Sequence, residues 1–76
     1  MRISNIDAVI TDGFSVTATA NDFEVVIESR KEGPDPEEQA DVRAFATHEL
    51  RDVFMHGFLC ACEALRAKVE VQHLIQ

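Results

Sequence analysis

The chain has 76 residues, 46% of them hydrophobic and 28% charged, with a formal net charge of −7. That length allows one small hydrophobic core, and that composition excludes an intrinsically disordered chain. The acidic balance disfavours nucleic acid and anionic lipid as partners, and no apolar run approaches the roughly 18 residues a membrane span needs.

The opening stretch MRISNIDAVITDG has no basic region followed by an apolar run and a small-residue cleavage site, so no secretory leader is expected. With two cysteines in the chain, a reducing cytoplasm is the expected compartment. One domain, 1–76, is expected, divided into a β-meander over 1–32 and a mainly helical part over 33–76.

Apolar residues alternate through NIDAVITDGFSVTATANDFEVVIES. Ile6, Ala8 and Ile10 share one face; Phe14, Val16, Ala18 and Ala20 continue it after Asp12-Gly13; Phe23, Val25 and Ile27 follow after Asn21-Asp22. Period-two alternation broken by turn dipeptides predicts three strands paired antiparallel. The other face carries Asp7, Thr11, Ser15, Thr17, Thr19, Glu24 and Glu28, interrupted by Val9 and Val26. That composition suits a solvated sheet face.

GPDPEEQAD reads as a helix entry. Asp35 is placed to cap, Pro36 suits the first helical position, and Glu38 stands where a capping box wants a carboxylate. Val42, Ala46, Leu50, Val53, Phe54, Gly57, Phe58, Ala61, Leu65 and Val69 recur at steps of three and four, which predicts a single core-facing stripe. A helix over 36–67 would be about 48 Å long, twice a seven-residue strand. It therefore overhangs the sheet or breaks near His56-Gly57. The tail KVEVQHLIQ stays ambiguous: Val69 and Val71 alternate like an edge strand, yet no Gly or Pro stops the helix before them. The fold class expected is α+β, a three-stranded antiparallel β-meander followed by a long C-terminal helix.

His56, Cys60 and Cys62 raise the question of a metal or redox site. On a helix Cys60 and Cys62 are about 200° apart, so they cannot share an ion. His56 and Cys60, with His48 nearby, supply too few ligands for structural zinc. Small apolar residues filling a helix interface is the expected role of both cysteines. The chain has no glycine-rich phosphate loop and no nucleophile elbow. No catalytic residue, no metal ligand and no cofactor is assigned, and the chain is expected not to be an enzyme. An RNA-binding sheet needs exposed aromatics and a basic rim. Here Phe14 and Phe23 point inward, and the outer face carries Glu24 and Glu28.

All of the excess charge lies in residues 1–41, where ten acids face Arg2, Arg30 and Lys31. Residues 42–76 are neutral in sum. The densest part holds Asp22, Glu24, Glu28, Glu32, Asp35, Glu37, Glu38 and Asp41. Carboxylates a few ångströms apart imitate the phosphates of DNA, which carries one charge per ~3.4 Å of axis on each strand. These eight residues are the candidate partner-binding surface, and the partner expected is a protein with a basic, DNA-binding surface.

In size, layout and charge, and in the stretches NDFEVVIES and KEGPDPEEQAD, the chain resembles the small phage-encoded anti-CRISPR proteins, several of which act as DNA mimics. The resemblance implies a phage gene product acting in the host cytoplasm, which binds a CRISPR surveillance complex and blocks its access to target DNA. The alternative is a small homodimeric structural or accessory module. Its helices would pair through Gly57, Ala61 and Ala64, and its acids would serve solubility.

Overall fold

A computed structural model describes residues 2–74. Its elements are β1 (Arg2–Thr11), β2 (Phe14–Asn21), β3 (Glu24–Lys31), β4 (Glu37–Ala44), α1 (His48–Ala64) and β5 (Lys68–Leu74). The strands form one antiparallel sheet in the order β4-β3-β2-β1-β5, and the helix packs on one face of it. The class is α+β, as the sequence predicts, but with five strands in place of three and the helix ahead of the last strand.

The three predicted strands pair through tight turns at Asp12-Gly13 and Asp22-Phe23. Gly13 takes φ +85°, a conformation that favours glycine. Ile6, Ala18 and Val25 are fully buried and meet Met55 beneath the helix. Ile3 joins them because a bulge between Ile3 and Asn5 shifts the alternation by one residue.

Residues 37–44 are the main correction. They form a strand and not the start of a helix, and Asp35 and Glu38 cap nothing. Pro34 and Pro36 push Gly33 and Asp35 away from helical backbone, and Gly33 turns at φ +133°. The chain then runs back along β3, with Val26 opposite Val42 and Arg30 opposite Glu38. All eight residues of β4 are exposed, so no alternation marks the strand.

The helix begins twelve residues later than predicted. Thr47 is its cap, and its hydroxyl accepts the Leu50 N–H at 3.1 Å. Seventeen residues span about 26 Å, close to the ~27 Å of an eight-residue strand. The helix runs through Gly57 unbroken, and the expected overhang disappears because residues 37–44 belong to β4. It ends with Ala67 donating to the Cys62 carbonyl at 3.0 Å and Arg66 at φ +57°. That is a Schellman-type stop with arginine where glycine is usual, so the sequence carries no visible terminator. The ambiguous tail is an edge strand through Leu74, paired with β1; residues 75 and 76 lie outside the described residues.

The buried helix residues are Arg51, Met55 and Cys62. They fall within about 40° around the axis, at the helical 100° per residue. Most of the predicted stripe sits beside this arc: Leu50, Val53 and Leu65 are 51%, 67% and 63% exposed. Cys62 is buried as expected, but Cys60 is exposed.

Candidate functional site

One sheet face lies under the helix and the other is open. The β-registers line up the side chains of the open face in rows. One row runs Glu70, Asp7, Thr17, Glu28 and Ala40 across all five strands. At the usual ~4.8 Å between strands, Asp7 and Glu70 are direct neighbours and Glu28 stands two strands away. Thr17 Oγ1 fills the gap and donates to Asp7 Oδ1 at 2.9 Å. A second row, Lys68, Val9, Ser15, Arg30 and Glu38, lies beside it. Arg30 Nη2 is 3.0 Å from Glu38 Oε1, so that pair is largely self-compensated. Between β2 and β4 the open face dips into a shallow trough over Thr17, Glu28, Arg30 and Glu38.

The eight predicted residues do not form one row. Glu24, Glu28 and Glu38 share the open face. Glu37 and Asp41 sit on the exposed edge strand with their side chains on the helix side of the sheet. Asp41 is engaged twice: Oδ2 pairs with Arg43 Nη2 at 2.8 Å, and Oδ1 accepts the Val42 N–H at 2.9 Å. Glu32 and Asp35 occupy the β3–β4 loop, tied to the first hairpin by the Glu32 N–H donating to the Gly13 carbonyl at 2.7 Å. Asp22 lies at the opposite end, 3.2 Å from His48 Nε2.

Two acids that the sequence reasoning left out of the site, Asp7 and Glu70, complete the open-face row. Asp7 was visible in the strand alternation. Glu70 could be placed only with the pairing of β5 to β1, which requires knowing that the tail is a strand.

Around Asp22 a second cluster forms. His48 stacks on Phe23 with ring centroids 4.3 Å apart. Arg51 is completely buried. Its Nη1 donates to the Asp22 carbonyl and its Nε to Asp52 Oδ1 at 3.0 Å. Nη2 is 3.0 Å from that same oxygen, an ion-pair distance without hydrogen-bond geometry. These contacts fasten the first turn of the helix to the β2–β3 turn. Burial, and secondarily the charge of Glu63, push the Cys62 thiol pKa up. Among the described residues no group of three or more His, Cys, Asp or Glu is placed to hold a metal ion, and no helix is long and apolar enough to cross a membrane.

Comparisons with protein families, with curated proteins and with solved structures find no match.

Proposed function

We propose that the protein is a non-enzymatic, protein-binding inhibitor of the anti-CRISPR kind, acting in the host cytoplasm. It lays its open sheet face on the Lys/Arg surface of a DNA-binding complex. The observation that supports this reading is the row Glu28–Asp7–Glu70 on a sheet face that none of the described elements covers. Carboxylates on paired strands are held by the sheet, so ordering them against a basic surface costs little further entropy. The electrostatic field speeds encounter with a positive surface and fixes orientation.

The test is a competition assay against labelled target DNA on a CRISPR surveillance complex at two salt concentrations. The wild-type protein displaces DNA, and less effectively at high salt. Asp7→Lys/Glu28→Lys/Glu70→Lys abolishes displacement. Glu32→Lys/Asp35→Lys, on the loop, leaves most of it intact. Equal loss in both variants would mean that only overall charge matters. No displacement by the wild-type protein on several effector types would end the reading.

A further inference from the structure

The two edges of the sheet, β4 and β5, differ in how they are protected. An edge strand turns the N–H and C=O of every second residue outward, ready to pair with another strand. β4 carries Glu37, Glu38 and Asp41 against Arg43, a net charge of −2, and Asp41 already accepts the outward Val42 N–H. β5 carries Lys68 against Glu70, a net charge of zero, and contains neither proline nor glycine. Ser4 Oγ donates to the Gln72 carbonyl, so Gln72 turns its backbone toward β1. Val69, Val71 and His73, which alternate with it, therefore turn theirs outward. Among the described residues no strand and no side chain takes up their N–H groups.

The strand is complementary to itself. Laid antiparallel on its own copy with a two-fold axis at Val71, β5 pairs along its full length. Val69 then faces His73, Glu70 faces Gln72 and Lys68 faces Leu74, so no like charges stand opposite each other. Every other axis position shortens the overlap, and an axis at Glu70 also sets two carboxylates face to face. Val71 ends an apolar row on the helix side of the sheet, continued by Ile6, Ala18 and Ile27 on the neighbouring strands. An axis at Val71 joins that row to its copy, Val71 against Val71.

We infer that β5 is the edge through which two copies of the chain pair, joining their sheets into one about a two-fold axis at Val71. The outward groups of Val69, Val71 and His73 on each copy supply about six backbone hydrogen bonds. Backbone bonds give such a contact its affinity, and the side chains facing across it give its register. The paired area is small, which puts the dimer in the weak, reversible class. The neutral edge admits a second copy, whereas the acidic β4 edge repels one. Residues directly opposite each other project to the same face, so both helices lie on one side of the joined sheet and both open faces on the other. The two Glu28–Asp7–Glu70 rows then lie on one continuous surface. The pairing itself does not depend on what that surface binds.

The experiment is sedimentation equilibrium of the intact protein over a concentration series up to about 1 mM, with amide hydrogen exchange at both ends of the series. The wild-type protein shows a monomer–dimer equilibrium, and the Val69 and Val71 amides exchange more slowly at the high concentration while those of β4 do not change. Gln72 is exposed, so its replacement leaves the fold intact. Gln72→Glu sets a carboxylate opposite Glu70 twice in the dimer and weakens it roughly fivefold, and Gln72→Lys tightens it by a similar factor. The same two changes at Gln39, exposed on β4, alter the net charge equally and leave the dimer as it was. A wild-type protein that is monomeric throughout the series overturns the inference. So does a dimer that responds to Gln39 and not to Gln72, protection that appears on β4, or a β5 edge that pairs only with a strand of a different protein.

Discussion

Arg51 reaches from beneath the helix to the backbone carbonyl of Asp22 and holds the β2–β3 turn against the first helical turn. Its guanidinium is fully buried, and its counter-charge, Asp52, is 31% exposed. Arg51→Ala removes core volume, the tether to the Asp22 carbonyl and the contact with Asp52, and is expected to cost about 3 kcal/mol. Arg51→Met keeps much of the volume, removes the buried charge and should cost far less, since apolar replacement of buried ion pairs is often near neutral. Urea denaturation distinguishes the two. Equal losses would show that the hydrogen bonds, and not the filled space, are what matter.

The helix start gives a paired prediction. Thr47→Ala removes the oxygen that accepts the Leu50 N–H and should lower stability by about 1 kcal/mol. Asp35→Ala, in an exposed loop, should change it by less than about 0.5 kcal/mol. Thermal melts of the two variants reversing that order would overturn the assigned helix boundary.

Asp41 guards a sheet edge. By accepting the Val42 N–H it occupies a donor that would otherwise be free to pair with another chain. Asp41→Ala should leave the fold intact but raise light scattering at high protein concentration and expose the Val42 amide to faster hydrogen exchange. Unchanged scattering and exchange would remove the guard role.

The cysteines differ in burial and should differ in chemistry. Cys60 is exposed, whereas Cys62 is 4% exposed with its thiol pKa raised. A thiol reagent should label Cys60 quickly and Cys62 only as the protein opens. Because the folded form holds the Cys62 proton more tightly than the unfolded form, this group contributes stability below the ordinary thiol range. That contribution is lost as pH rises through the raised value. Stability measured in Cys60→Ser should therefore fall on the alkaline side, and the fall should vanish in Cys60→Ser/Cys62→Ala.

The first three strands were legible because burial imposes alternation: Ile6, Ala18 and Val25 face the core and their neighbours face water. β4 was not, since neither of its faces is covered and nothing in EEQADVRA has to alternate. The same stretch has the Pro and acid spacing of a helix entry, and only its pairing with β3 decides between them. The helix was found, and Phe54 and Phe58 of the expected stripe do pack against the core, but Leu50, Val53 and Leu65 do not. The arc that is fully buried is centred beside that stripe and includes Arg51, whose charge hides its role in packing. For the acidic site, the residue types were readable and their grouping was not. Register alone separates Glu28 from Glu37 onto opposite faces and joins Glu28 to Asp7 and Glu70.

The strand order also bears on how the chain reaches its folded state. β1 to β4 form by successive hairpins, each closing a short loop. β5 returns to pair with β1, Val71 against Ile6, across nearly the whole chain. The entropy of that closure must be met before its contacts repay it. If the late strand belongs to the folding nucleus, changes in β5 such as Val71→Ala slow refolding, whereas changes in β4 such as Val42→Ala chiefly hasten unfolding.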